Sequence, residues 1–151
     1  TQNKILDDLK FLSKKSPVNV IPSRRTPSPF IEKLRTLDSQ NVRLLDDVFD
    51  PISYGKLLSE AKMHIVTWDS ISMISEAISS ETGTYLYEFE ERSCPKRYKL
   101  FYQMTKQKGL LKSFNRNNEP YSISMTEYNL ELKSKILNKI ESHLWFKNSA
   151  S

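Results

Sequence analysis

Cysteine, glycine and long apolar runs are scarce in this sequence, and each scarcity excludes a class of protein. Cys94 is the only cysteine, so no internal disulfide can form, and the chain fits a reducing compartment, which predicts a cytoplasmic location. Only three glycines occur, and none belongs to a Gly-x-Gly-x-x-Gly turn, which argues against an epimerase of the dinucleotide-binding type. No run of about 20 apolar residues is present, so we predict no membrane span.

Ligands for a metal ion are also few. Only two histidines occur, they form no His-x-x-x-His pair, and neither is placed in sequence to activate Cys94. We therefore predict no metal site, no resident cofactor and an ordinary free thiol. The carboxylates of Asp46, Asp47 and Asp50 follow a predicted strand and could suggest a metal. Because carboxylates are favoured in turns and caps for backbone reasons, we interpret them as capping residues.

What the sequence does contain is typical of a globular domain. Its 151 residues can bury a core, and 38% of them are apolar and 27% are charged. The net charge of +5 favours anionic partners, and small phosphorylated ligands satisfy it as well as nucleic acid does. Because Thr1 rather than Met opens the chain directly in a helical pattern, we expect it to be part of a longer protein.

Apolar periodicity predicts short strands that alternate with helices. Helices are predicted at 3–15, 28–37, from 51 onward, and at 71–80, 96–108 and 126–144, and strands at 18–21, 42–45, 63–66 and 84–89. Residues 110–121 are predicted to form a loop. This alternation predicts an α/β fold with a parallel sheet and helices on both of its faces. We expect one domain over 1–125, followed by a C-terminal helix within 126–147.

The stretch 64–80 predicts a strand, a tight polar turn and a helix that Asp69 or Ser70 caps. Three isoleucines share one side of this helix, and Ser72 and Glu76 lie on the other side. A helix that opens just past a strand offers backbone N–H groups to a phosphate. Glu76 lies roughly 6 Å further along the axis, a distance that suits a carboxylate bound to a ribose diol. The alternative is a capped amphipathic helix with a solvated polar face.

A second polar turn, Ser23-Arg24-Arg25-Thr26, lies between a predicted strand and a predicted helix. Arginine donates hydrogen bonds in a fork that matches phosphate oxygens, and the two hydroxyls add neutral donors. Thr26 is the predicted N-cap of the next helix and Pro27 its first residue. The alternative is a solvated arginine pair that flanks a turn.

Parallel sheets bind ligands at the carboxyl ends of their strands. The turns 23–26, 46–50, 67–72 and 88–97 all follow predicted strands, so we expect them to converge on one rim that binds anions. The helix at 96–108 carries an aromatic stripe among lysines, with Tyr98, Phe101, Tyr102 and Met104 on its apolar side. Such a stripe can stack on single-stranded nucleic acid, but helical spacing favours a place in the core, so we expect no nucleic acid partner.

Three segments resemble the plant mitochondrial-fission factor family and its bacterial relatives, which carry the label of predicted nucleoside-diphosphate-sugar epimerases. They are Pro22 to Pro27, then Thr67 to Ala77 with the pattern Asp-Ser-x-Ser-Met-x-x-Glu-Ala, and then the helix that begins Lys96-Arg97-Tyr98, with Gly109-Leu110 behind it. The resemblance runs in order through most of 17–114. The first two segments together make it fairly specific.

This resemblance implies the Rossmann-like, three-layer C-terminal half of a GT-B glycosyltransferase-type protein, which binds a nucleotide-sugar between two similar domains. By analogy, Ser70 and Ser72 would contact the diphosphate and Glu76 the ribose. The other implied contacts are the backbone near Val48 and Phe49 for the base, and Arg24 and Arg25, in the turn with Ser23 and Thr26, for the phosphate charge. The final helix would pack on the sheet or cross back to an N-terminal domain, which would be the partner of this chain.

The resemblance leaves two functions open, and the net charge of +5 with the helix at 96–108 leaves a nucleic-acid-binding domain as a third reading. The first is nucleotide-sugar binding, in a full-length protein that acts as a glycosyltransferase and in a chain that is inactive alone because the acceptor site lies in the other half. In that case the nucleotide-sugar is a substrate, and no cofactor is needed. The alternative is a non-catalytic interaction module of the mitochondrial-fission type, which keeps the fold without the chemistry.

Overall fold

The structure is a computed structural model, and it describes residues 2–37, 41–45, 50–88 and 94–123. The strands and helices alternate along the chain as the apolar pattern predicts. The elements are α1 (Gln2–Ser13), β1 (Val18–Val20), α2 (Ser28–Arg35), β2 (Val42–Leu44), α3 (Pro51–Glu60), β3 (His64–Thr67), α4 (Ile71–Ser79), β4 (Thr84–Tyr87), α5 (Lys96–Gln107) and β5 (Leu111–Ser113). The predicted helix at 126–144 lies outside the described residues.

The chain divides into two compact units. The first comprises Thr1–Lys56 and Asn115–Asn117, and the second comprises Leu57–Phe114 and Asn118–Ser151. The boundary falls inside α3, which has no buried residue.

In the first unit, β1 and β2 form a parallel pair in which Val18 lies opposite Val42 and Val20 opposite Leu44. Each strand has three residues, and β-branched valines favour the extended backbone there. Phe30 and Leu34 are four residues apart on α2, so they share one side of the helix, and both are buried. Helix α1 contacts β1.

In the second unit, the strands follow the order β3-β4-β5, and both neighbouring pairs are parallel. All four residues of the central strand β4 are buried, which explains why its sequence, Thr-Tyr-Leu-Tyr, has no charged residue and no alternation of exposed and buried positions. Helix α4 contacts β3 and β4, and α5 contacts β5. The core consists of Trp68, Ile74, Ile78, Leu86, Tyr102, Leu110, Leu111 and Ile123. The predicted α/β class with parallel strands is therefore confirmed, and the described strands form two parallel sheets.

The segment predicted as a loop at 110–121 contains strand β5, which the sequence analysis missed. Only Leu111 of its three residues is buried, whereas Lys112 and Ser113 are exposed, so no apolar alternation marks the strand. Its extended conformation depends on pairing with β4, in which Thr84 lies opposite Leu111 and Leu86 opposite Ser113. Pairing between strands is information that local periodicity does not contain.

Gly83 lies where two segments of backbone pass close to each other. The left-handed residue after α4 is Glu81, with φ of 64°. Gly83 is instead buried under Tyr121, and a Cβ atom there would lie 2.3 Å from the Tyr121 carbonyl oxygen. The Gly83 N–H donates a hydrogen bond to that same oxygen at 2.8 Å. Glycine is therefore required for the close approach of two backbones.

The buried side of α5 differs by one residue from the predicted apolar side. Tyr102 is buried and Tyr98 and Phe101 are half-buried, as expected, but Met104 is 40% exposed. Thr105 is buried in its place, and its hydroxyl donates hydrogen bonds to the carbonyl oxygens of Phe101 and Tyr102 at 2.9 and 3.0 Å. Because the helix backbone satisfies its hydroxyl, a threonine can occupy this core position.

Candidate functional site

The Ser23–Thr26 segment forms a tight turn directly after β1 and before α2. The Thr26 N–H donates to the Ser23 carbonyl at 3.1 Å, and the Ser23 N–H donates to Thr26 Oγ1 at 3.0 Å. The Arg25 N–H donates to Ser23 Oγ at 3.2 Å. Serine and threonine hydroxyls commonly stabilise turns in this way. Arg24 and Arg25 thus occupy the two central positions, and both are exposed.

This geometry changes the roles predicted for the two hydroxyl residues. Both hydroxyl oxygens accept backbone N–H groups within the turn, so they shape the turn as well as offering donors to a ligand. Thr26, the predicted N-cap of α2, lies one residue before the observed cap, and its Oγ1 accepts the Ser23 N–H within the turn. The N-cap is Pro27, which makes no side-chain cap bond, and the helix begins at Ser28.

Hydrogen bonds with residues of β3, β4 and α5 hold the turn between β3 and α4 in place. The Trp68 N–H donates to the Tyr87 carbonyl of β4 at 3.1 Å. The Ser70 N–H donates to the Thr67 carbonyl at 3.2 Å. The Tyr102 hydroxyl of α5 donates to the Trp68 carbonyl. Both Trp68 and Tyr102 are buried, so the backbone that leads into α4 is fixed before any ligand arrives.

Helix α4 places the predicted ligand contacts on its more accessible side. Ile74 and Ile78 are buried on one side, with 0% and 2% exposure. On the other side Ser72 is exposed in the first turn, and Glu76 is half-buried one turn later. Ser70 is the N-cap, as predicted, but it is buried and its side chain makes no cap bond. The first N–H groups of any helix lack an intrahelical acceptor, so this end can accept an anion.

The structure groups the predicted site residues in two sets. Ser23, Arg24, Arg25 and Thr26 share one turn of the first unit, and Ser70, Ser72 and Glu76 share α4 in the second unit. Val48 and Phe49 lie outside the described residues. The convergence of these sets on one rim stays a prediction.

Tyr102 contacts this region although it is not among the predicted site residues. It was predicted to be part of the core, and it also anchors the turn before α4. Burial raises the pKa of its phenol well above the usual value, so the hydroxyl remains a donor at neutral pH. The usable signal in the sequence was a tyrosine on an apolar helix face, because a buried phenol normally needs a hydrogen-bond partner.

The remaining titratable groups of the described residues include Cys94 and Asp50, both singled out in the sequence. Burial raises the pKa of the Cys94 thiol, which keeps it protonated and a poor nucleophile. Within the described ranges no three His, Cys, Asp or Glu side chains lie close enough together to hold a metal ion. Asp50 acts at a helix start, as predicted, since its Oδ2 accepts the Ser53 N–H at 2.9 Å, whereas Asp46 and Asp47 lie outside the described residues. None of the described helices is long and apolar enough to cross a bilayer.

Comparison with known families accounts for nearly the whole chain. The model of the family described as mitochondrial fission ELM1 matches residues 2–138. The chain belongs to the mitochondrial fission ELM1 family. This confirms the family resemblance seen in the Ser-Arg-Arg-Thr turn and in α4, and the match spans both of those segments. No curated protein matches the ELM1-family chain, and no solved structure matches it either.

Proposed function

We propose that this ELM1-family chain is the nucleotide-sugar-binding half of a GT-B-like glycosyltransferase. The observation that carries the proposal is the side of α4 opposite to Ile74 and Ile78. It offers a helix N-terminus directly after a parallel strand, an exposed hydroxyl at Ser72 and a carboxylate at Glu76 one turn further on. A diphosphate at the helix start and a ribose diol beside the carboxylate match this spacing.

Each residue has a distinct role in this proposal. The N–H groups at the start of α4 and the hydroxyls of Ser70 and Ser72 bind the diphosphate. Glu76 accepts hydrogen bonds from the ribose hydroxyls, which are strong because the acceptor is charged. Arg24 and Arg25 neutralise phosphate charge from their turn after β1. The nucleotide-sugar is the substrate, and an N-terminal domain of the same protein supplies the acceptor site.

Calorimetric titration of the full-length protein with a panel of nucleoside diphosphates and their sugars tests the proposal directly. We expect Glu76→Gln to weaken nucleoside diphosphate binding about ten-fold, because a charged acceptor is replaced by a neutral one. Glu81→Gln is the matched control, since Glu81 is exposed just past the end of the same helix. It should bind as the wild type does.

Three outcomes would each contradict a part of this proposal. Absence of binding across the whole panel by a folded full-length protein refutes nucleotide-sugar binding. Binding that is equally strong in both glutamine variants removes Glu76 from the site. If the cellular function survives Glu76→Gln while nucleotide binding is lost, the chain acts as an interaction module of the mitochondrial-fission type.

A further inference from the structure

The side of α5 that points away from the core carries an unusual set of exposed residues. We define the outer face of α5 by Arg97, Leu100, Met104 and Gln107, which line a shallow hollow of about 430 Å³ together with Phe101 and Gln103. Leu100 is 59% exposed and Met104 is 40% exposed. Tyr102 and Thr105, on the opposite side, are both buried.

The residues of the outer face of α5 have the spacing that is typical of a contact between two helices. Its defining residues follow one another at intervals of three, four and three, which is the pattern that places side chains against a second helix. Leu100 and Met104 are one helical turn apart, so they form a single apolar stripe. Methionine is common at such contact surfaces because its flexible side chain adapts to a partner.

The charged residues of α5 all have one sign. Lys96 and Arg97 precede Leu100 by four and three residues, so they flank the stripe on its two sides, and α5 contains no Asp or Glu. Lys106 is already engaged with Glu88 at 3.1 Å. Among the described residues no carboxylate forms an ion pair with Lys96 or Arg97. Arg97 lines the hollow with Leu100 and Met104, and its guanidinium also lies 5.1 Å from the centre of the Tyr98 ring.

We propose that the outer face of α5 docks an acidic amphipathic helix of a partner protein. The apolar residues of that helix would cover Leu100 and Met104, and its carboxylates would lie beside Lys96 and Arg97. Gln103 and Gln107 favour a protein over a lipid bilayer, because their amides find hydrogen-bond partners on a peptide but not in hydrocarbon. A second copy of α5 would bring like charges together, which disfavours self-association.

Two synthetic helical peptides with the same leucine spacing, one flanked by glutamates and the other by lysines, test the proposal. Fluorescence anisotropy measures the binding of each labelled peptide to the whole chain. We expect the glutamate peptide to bind about five- to ten-fold more tightly and to weaken as salt is added, because the ion pairs are exposed. The double variant Lys96→Glu, Arg97→Glu should reverse the preference and bind the lysine peptide more tightly.

Matched variants separate docking from folding. Lys10→Glu with Lys62→Glu lowers the net charge by the same amount at exposed positions outside α5, and it should keep the wild-type preference. Leu100→Ser should abolish peptide binding, whereas Ile52→Ser, at a residue of α3 that is 86% exposed, should leave it unchanged. The charge reversal places carboxylates at a helix N-terminus, so it should not lower the unfolding temperature.

Three results would overturn the proposal. The first is equal affinity for the two peptides, or no binding of either up to about 1 mM, a range in which weak contacts are still measurable. The second is binding to vesicles of phosphatidylglycerol and phosphatidylcholine that Leu100→Ser abolishes while the peptides do not bind, which would assign the face to a membrane. The third is a dimer in analytical ultracentrifugation that Leu100→Ser dissociates, which would assign the face to a second copy.

Discussion

At the scale of single residues, Gly83 and Gly55 differ in the space that an added side chain would find. A Cβ on Gly83 would lie 2.3 Å from a backbone oxygen of Tyr121, whereas a Cβ on Gly55 would meet nothing within 4 Å. We expect Gly83→Ala to lower the free energy of unfolding by about 1–3 kcal/mol, because the backbone of Tyr121 must move. We expect Gly55→Ala, in the interior of α3, to raise it by about 0.5–1 kcal/mol.

Urea unfolding monitored by circular dichroism checks both glycine variants under the same conditions. A neutral result for Gly83→Ala would show that the segment 121–123 does not pack on 81–83. The hydrogen bonds from Gly83 to Tyr121 and from Ile123 to Glu81 would then be absent in solution. The sequence could not reveal this constraint, because the two segments are far apart along the chain.

His64 makes stability depend on pH. Its Nε2 lies 3.1 Å from Ser80 Oγ, and burial lowers its pKa from the ordinary value. Above that ordinary value the imidazole is neutral in both states. As the pH falls below it, the unfolded chain takes up a proton that the folded chain resists, so the free energy of unfolding falls.

We therefore expect the wild type to lose more stability between pH 7.5 and pH 5.5 than a His64→Gln variant does. Urea unfolding at the two pH values measures this difference, and the variant supplies the background from all other groups. A wild type and a variant with the same pH dependence would show that His64 is solvated in the folded state.

At the scale of elements, the hydrogen bond from Tyr102 to the Trp68 carbonyl joins α5 to the turn before α4. We expect Tyr102→Phe to destabilise the protein by about 1–3 kcal/mol, because a buried carbonyl loses its donor. Tyr98→Phe is the control, since Tyr98 is half-buried on the same helix, and its effect should stay within about 0.5 kcal/mol.

The two phenylalanine variants also link this contact to the candidate site. If the turn before α4 positions the ligand, Tyr102→Phe should weaken nucleoside diphosphate binding to the full-length protein, and Tyr98→Phe should not. A Tyr102→Phe variant with wild-type unfolding and wild-type binding would contradict the anchoring role. Thermal unfolding and calorimetry on the same samples distinguish these outcomes.

Most of the helices and strands could be predicted from the spacing of apolar residues, but β5 and the buried position of Thr105 could not. Helices α2 and α4 are predicted because Phe30 and Leu34, or Ile74 and Ile78, recur at helical spacing, and β4 because its residue types are typical of strands. Strand β5 has a single buried residue, Leu111, and so gives no period. Thr105 is polar, so the sequence does not mark it as a core residue. It can be buried because its hydroxyl donates a hydrogen bond to the preceding turn of its own helix. Periodicity therefore identified the elements, and pairing between distant segments remained invisible.

In the candidate site, too, local relations were predicted from the sequence and long-range contacts were not. The sequence predicted that Ser72 and Glu76 share one side of α4, because that relation depends only on helix geometry. It predicted the turn at Ser23–Thr26 but not that both hydroxyls accept N–H groups within it. The sequence signals that a buried Tyr102 phenol needs a hydrogen-bond partner, but it does not identify the Trp68 carbonyl, which lies 34 residues away.

At the scale of the whole molecule, the chain returns to the first unit after it has built the sheet of the second. Residues 115–117 belong to the first unit, where Arg116 Nε and Nη2 both donate to Oδ1 of Asp8 at 3.0 and 2.6 Å. The Asp8 side chain is 6% exposed and that of Arg116 is 43% exposed. The Arg116 guanidinium also lies 5.0 Å from the centre of the Phe11 ring on the same helix α1. One arginine thereby connects the chain beyond β5 to its N-terminal helix.

A double-mutant cycle of Asp8→Ala and Arg116→Ala measures this connection. We expect a coupling energy of about 1–2 kcal/mol, below that of a fully buried pair because the arginine is partly solvated. Asp7→Ala is the control, since Asp7 is exposed on the same helix, and it should couple to Arg116→Ala by less than about 0.5 kcal/mol. The two partners are 108 residues apart along the chain, so their coupling tests a long-range contact. Coupling near zero would contradict a stabilising ion pair between Asp8 and Arg116.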